Sequence, residues 1–90
     1  GMAPVHEAAR RNDVEGLARL LDEDPGLIEA EAPDTPLVYA CGAGSVDTAL
    51  LLLDRGADAN KADEEGQTPL MEACFFGRVE AAALLLGRGG

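Results

Sequence analysis

Side chains able to do covalent or metal chemistry are few in this sequence: two cysteines, Cys41 and Cys74, a single histidine, His6, and the acid-rich segment Asp58-Ala59-Asn60-Lys61-Ala62-Asp63-Glu64-Glu65-Gly66. A protein nucleophile needs a base beside it and a third group to orient that base, and no such set recurs around either cysteine or the histidine. A structural zinc ion needs four Cys or His ligands, more than these three residues supply. Calcium loops place oxygen ligands at alternate positions and a glycine at the sixth. Counting from Asp58, Ala62 falls on the fifth position and Asp63 on the glycine's, so the segment reads as a solvated loop. The glycines form neither Gly-x-Gly-x-x-Gly nor Gly-x-x-x-x-Gly-Lys, which leaves no phosphate-cradling loop. No catalytic residue, metal ion or cofactor is therefore expected.

Composition narrows the partners. With 17 acids against 7 Lys and Arg, the 90 residues carry a formal charge of −10, whereas nucleic acids and anionic membranes are bound by clustered basic surface. The apolar runs, such as Leu50 to Leu53, fall far short of the ~18–20 residues that span a bilayer. No basic stretch leads into an apolar one at the start, so no signal peptide is expected; Gly1 before Met2 reads as a tag remnant, leaving one domain over 2–90. Two cysteines are too few for a disulfide framework, which points to an intracellular, cytoplasmic setting. Only Tyr39, Phe75 and Phe76 are aromatic, so a core must come from close helix packing.

What must position these residues is a repeat. Thr35-Pro36-Leu37-Val38-Tyr39-Ala40-Cys41-Gly42-Ala43-Gly44-Ser45-Val46-Asp47 returns 33 positions later as Thr68-Pro69-Leu70-Met71-Glu72-Ala73-Cys74-Phe75-Phe76-Gly77-Arg78-Val79-Glu80, and Pro4-Val5-His6-Glu7-Ala8-Ala9 stands 32 positions ahead of the middle copy. The pairs Leu20-Leu21, Leu52-Leu53 and Leu85-Leu86 keep the same offsets. Proline is pre-organised for a helix's first turn and threonine before it is a good N-cap, so each copy opens a short helix. Asn12, Gly44 and Gly77 close it, because both residue types tolerate the left-handed conformation. A second helix follows, over about Val46 to Asp54 and Val79 to Leu86, and Gly56-Ala57-Asp58-Ala59-Asn60 turns the chain. In the first copy Asp22-Glu23-Asp24-Pro25-Gly26 stands where that turn belongs.

The 33-residue period, Thr-Pro-Leu opening a helix, Ala-Cys before glycine, the Leu-Leu pair and Gly-Ala-Asp-Ala-Asn together resemble the ankyrin repeat. The resemblance covers the chain from Pro4, with repeats over about 2–33, 34–66 and 67–90. It implies an all-α solenoid of stacked helix-turn-helix units with hairpin-like loops projecting sideways and a concave face. The family's Thr-Pro-Leu-His tetrapeptide joins a threonine hydroxyl and an imidazole. Here Ala3 precedes the copy that holds His6, and Thr35 and Thr68 precede copies with Val38 and Met71 in the histidine position. Looser capping and low stability follow. Cys41 and Cys74 take positions where the family has a small buried alanine, so both are expected in the core. Equivalent points on neighbouring repeats are separated by the ~8–10 Å of packed helices, beyond the reach of a disulfide.

The resemblance also implies where a partner binds: loop tips and the exposed side of each first helix. By position these are Arg10 and Arg11, then Gly42 and Ala43, then Phe75 and Phe76, with Tyr39 beside the groove and Glu31, Asp34, Glu64, Glu65 and Gln67 forming an acidic rim. Eleven of the 17 acids lie in residues 22–34 and 54–65, which favours a partner protein with a basic contact surface. The sequence therefore reads as a non-enzymatic protein-binding module. The alternative is a self-associating element, or a piece of a longer scaffold, that uses its C-terminal face, since Ala81 to Leu86 is followed only by Gly87-Arg88-Gly89-Gly90 and no polar capping repeat.

Overall fold

A computed structural model describes residues 4–31, 34–63 and 65–88. Among these residues six α-helices run in three consecutive pairs: α1 (Pro4–Arg10) with α2 (Val14–Glu23), α3 (Pro36–Ala43) with α4 (Val46–Asp54), and α5 (Pro69–Phe75) with α6 (Val79–Gly87). No strand occurs among the described residues. The helix ends are those that the punctuation residues dictate. Asn12, Gly44 and Gly77 have φ of 61°, 74° and 69°. The backbone N–H after each donates back to the first helix, Asp13 to Ala8, Ser45 to Ala40 and Arg78 to Ala73, at 2.9, 2.8 and 2.7 Å. This is the bond that closes a helix through a left-handed residue.

Where the first copy lacks the Gly-Ala-Asp turn, α2 runs on through Asp22 to Glu23, and Pro25–Glu29 form a 3-10 turn. The Asp24 side chain starts that turn by accepting from the Gly26 N–H at 3.1 Å. Capping of the first helices is uneven, as the broken tetrapeptides predict. The Thr68 hydroxyl accepts from Met71 N–H at 3.2 Å, whereas Thr35 makes no side-chain cap bond to its helix. His6 is 1% exposed. Its Nε2 meets the Ala30 carbonyl at 2.7 Å and its ring stands edge-on to Tyr39, while Nδ1 is buried with no hydrogen-bond partner among the described residues. Ala3, in the threonine position of that copy, lies outside the described residues.

First helices pack side by side, α1 on α3 on α5, and second helices form the other layer, α2 on α4 on α6. Ala9, Ala40 and Ala73 are fully buried on the first helices; their small side chains let those helices approach closely. Leu17, Leu37, Leu52 and Leu85 carry the bulk of the core, each burial contributing roughly 1.5–3 kcal/mol. Cys41 lies in this core, and burial pushes its thiol pKa up to about 12. Cys74 departs from the expectation for its position: it is exposed. Its burial would need a first helix stacked beyond α5, and among the described residues α5 packs on α3 alone in its layer.

Candidate functional site

The sequence-predicted contact residues divide by where the helices aim them. Arg10, Asp34, Tyr39, Ala43 and Phe76 converge on one groove of about 310 Å³ in the first-helix layer, together with Val38, Gly42 and Glu72. Glu72 and Phe76 close over Gly42: a Cβ there would lie in ordinary contact with Glu72 Oε2 at 3.6 Å and the Phe76 ring at 3.7 Å. Phe76, from the third pair, thus leans back over the second pair. It packs edge-to-face against Phe75, ring centroids 5.0 Å apart. The two phenylalanines are 51% and 81% exposed, so neither is folded into the core.

Charge gives the groove its character. Burial raises the Asp34 carboxyl above the ordinary carboxylate range, and the nearby Asp63, Glu65 and Glu31 raise it further. Glu72 is raised in the same way, by burial and then by Asp34, Asp63 and Glu65. Tyr39 is raised too, chiefly by burial and by the Asp34 charge. Three positions in the site therefore feel an excess of negative charge over apolar walls. Arg10 sits at one end with its guanidinium engaged by Glu7, one turn back on α1. Glu72 occupies the register of Glu7 in the third copy, but the residue three positions on is Phe75 and not a base.

Other predicted residues lie elsewhere. Arg11 lines a shallow flank of the first pair with Glu7, Asp13 and Arg19. Glu31 stands at the rim but is paired with Lys61 at 3.6 Å. Glu65 and Gln67 are exposed at a folded loop tip. There the Asp63 Oδ1 accepts from both of their backbone N–H groups at 2.8 Å. Glu64 lies outside the described residues. The residue that the sequence alone did not single out is Glu72. Its signal was present, since it repeats the register of Tyr39, already assigned beside the groove. No group of three or more His, Cys, Asp or Glu side chains among the described residues is arranged to hold a metal ion, and no described helix is long and apolar enough to cross a membrane.

Comparison with known proteins agrees with the repeat. The family model described as "Ankyrin repeats (3 copies)" matches residues 5–90. The "Ankyrin and armadillo repeat-containing protein" of Mus musculus is 39% identical over 70 residues, 73% of this chain and 5% of that protein. Its Homo sapiens counterpart gives the same identity and coverage. The "Serine/threonine-protein kinase VIK" of Arabidopsis thaliana is 42% identical over 57 residues, 61% of this chain and 13% of that protein. The chain thus spans only a small part of the length of each of these relatives.

Proposed function

The chain belongs to the ankyrin-repeat family, whose repeats are in general protein–protein interaction modules and typically non-catalytic, and from that membership we propose that it binds a partner protein through the concave face formed by α1, α3 and α5. The observation that carries this reading is the groove itself, with Tyr39, Val38 and Phe76 as walls and Asp34 and Glu72 as carboxylates. A basic side chain of the partner fits it: the aliphatic stem lies along the apolar walls, the charged head meets the carboxylates, and the aromatic faces add cation–π attraction. Exposed Phe75 and Phe76 supply the kind of aromatic anchor that dominates interface energy, and Glu65 and Gln67 extend the contact along the loop edge. No catalytic step and no cofactor enters this reading. Two free thiols suit a reducing, intracellular setting.

The reading is tested by affinity capture from the native source with the intact chain and with Phe76→Ser and Glu72→Gln. A partner bound through the groove is lost with Phe76→Ser, weakened with Glu72→Gln and released by moderate salt, as expected for charge-steered contacts. Capture that is equal for all three proteins and insensitive to salt would sink the proposal.

A further inference from the structure

Acids and bases are not shared evenly along the stack. The four ion pairs among the described residues engage Glu7, Asp22, Glu31 and Asp54. Asp34 and Glu72, the two carboxylates of the first-helix groove, are in none of them. Both are half-buried. Burial raises each above its ordinary range, and acids raise each further: Asp63, Glu65 and Glu31 for Asp34, and Asp34, Asp63 and Glu65 for Glu72. Of the seven bases, only Arg10 lines this groove, and its guanidinium is held by Glu7. The groove thus confines negative charge between Val38, Tyr39 and Phe76, with no cation of the chain paired to it among the described residues. Its walls come from all three helix pairs, so it is a feature of the stack itself.

The repeat carries its own template for the missing cation. Glu7 and Glu72 occupy the same register in the first and third copies. Three residues on from Glu7 stands Arg10, whose guanidinium the Glu7 carboxylate accepts; three residues on from Glu72 stands Phe75. The third copy therefore keeps the carboxylate and has an aromatic ring where the first has its base. The walls then choose between the two basic side chains. A guanidinium is planar, weakly hydrated and able to stack on an aromatic face, and its fork of N–H groups can engage more than one carboxylate. An ammonium is a compact, strongly hydrated charge that loses more on leaving water. Building on the partner-binding reading above, we propose that the groove of Asp34, Tyr39, Glu72 and Phe76 takes an arginine side chain of the partner in preference to a lysine. The partner's guanidinium supplies at Glu72 what Arg10 supplies at Glu7, with the Phe76 ring as the surface on which it lies.

The probes that test this are N-acetyl-arginine N-methylamide, its lysine counterpart and its uncharged citrulline counterpart. Each is titrated into the isotope-labelled full chain and followed by the amide shifts of residues 38–43 and 72–76. The expected result is saturable shifts there with arginine, roughly millimolar for so small a ligand, binding about fivefold or more weaker with lysine, and none with citrulline. Glu72→Gln, checked by circular dichroism for retained helix, weakens arginine about tenfold and removes the preference. Asp22→Asn, in the second-helix layer, leaves both unchanged. Phe75→Arg rebuilds in the third copy the arrangement of Glu7 and Arg10, so an in-chain guanidinium occupies Glu72 and weakens the arginine probe about tenfold, whereas Phe75→Leu does not. Lysine binding as tightly as arginine overturns the inference, while shifts that still depend on Glu72 and Phe76 leave the wider reading standing. No shift in these residues with any probe, or an arginine affinity unmoved by Glu72→Gln or by Phe75→Arg, overturns it as well. The wider reading then stands or falls on whether Phe76→Ser abolishes capture of a partner.

Discussion

Between the first and second helix pairs, side chains reach across to backbone. The Thr48 hydroxyl donates to the Ala9 carbonyl at 2.6 Å, the Ser45 hydroxyl donates to the Arg10 carbonyl at 2.5 Å, and Asn12 Oδ1 accepts from the Thr48 N–H at 3.1 Å. Between the second and third pairs the same registers hold Ala81, Arg78 and Gly44, and the Arg78 guanidinium on the Gly42 carbonyl, an exposed bond, stands in for the serine. Both junctions bury leucine and alanine alike, so apolar stacking sets the architecture at each. The difference lies in the polar latch around the buried Thr48 hydroxyl, which among the described residues only the first junction has. In a stacked array stability is close to a sum over units and their nearest-neighbour interfaces. The third pair is therefore held by the weaker of two junctions, and it is also the pair that carries Phe75 and Phe76.

The largest expected effect separates a residue with two neighbouring pairs from one with a single neighbour. Leu52 and Leu85 are equivalent and both fully buried, and truncating either to alanine removes about 2–5 kcal/mol of packing. Leu52→Ala weakens the central pair, on which both junctions depend, so amide exchange should accelerate throughout the chain. Leu85→Ala should accelerate exchange in residues 69–87 and spare α1 and α2. Equal loss of protection in α1 for the two variants would show that the chain folds as one indivisible unit and that the junctions do not differ.

Next in size is the latch. Thr48→Val keeps the shape and removes the hydroxyl, leaving the Ala9 carbonyl with the longer 3.3 Å bond from the Asn12 N–H at a cost of about 0.5–1.5 kcal/mol, read as a lower urea midpoint. The converse change grafts the latch onto the second junction as Gly44→Asn with Ala81→Thr. Asn12 and Gly44 share left-handed φ values of 61° and 74°, a conformation that asparagine accepts. The new Cβ at position 44 approaches Arg78 Cδ at 3.0 Å, a flexible side chain that can move aside. The graft should slow exchange in α5 and α6 by an amount worth about 0.5–1.5 kcal/mol. No change there would mean that the latch does not account for the difference between the junctions.

These contrasts mark what the sequence made legible. Period, helix order and helix ends were readable because they depend on local chemistry: proline at a first turn, glycine or asparagine at a left-handed stop, leucine pairs at fixed offsets. The core position of Cys41 was readable for the same reason. That of Cys74 was not, because its burial depends on which helix pair lies beyond it, not on its own register. Arg10 and Arg11 adjoin in sequence, yet one lines the groove and the other the first-pair flank, a division set by 100° of helix rotation. Glu72 escaped because its importance comes from burial and then from the charges of Asp34, Asp63 and Glu65, a setting that stacking of the second and third pairs creates.

That gathering of acids belongs to the second junction and gives it a pH dependence. Burial and mutual repulsion raise Asp34 and Glu72 above their ordinary values of 3.8 and 4.5, so the folded chain holds protons that the unfolded chain releases. The contribution of these two groups to stability is then largest below the ordinary carboxylate range and falls as the pH rises through the raised values. Glu72→Gln removes one of the two and should flatten this decline, stabilising α5 at neutral pH by less than about 1 kcal/mol, since both groups are screened by solvent. Denaturation midpoints between pH 4 and 7 read it directly. A variant no more stable than the parent at pH 7 would remove electrostatic strain from the account of the second junction.

The smallest expected effect is the sharpest control, because one feature recurs at both junctions. Arg55 pairs with Asp22 at 2.8 Å and Arg88 with Asp54 at 2.7 Å, the same bond at successive registers with every partner substantially exposed. Such pairs are worth about 0–1 kcal/mol. Arg55→Ala and Arg88→Ala should therefore each lower stability by about 0.5 kcal/mol or less, by similar amounts, and high salt should erase both effects. If Arg88→Ala instead loosened α6 far more than Arg55→Ala loosened the first junction, the ion pair would be the main polar tie of the third pair. The contrast between junctions would then rest on exposed charge, which salt can switch off, and not on the buried Thr48 hydroxyl and the Asn12 amide.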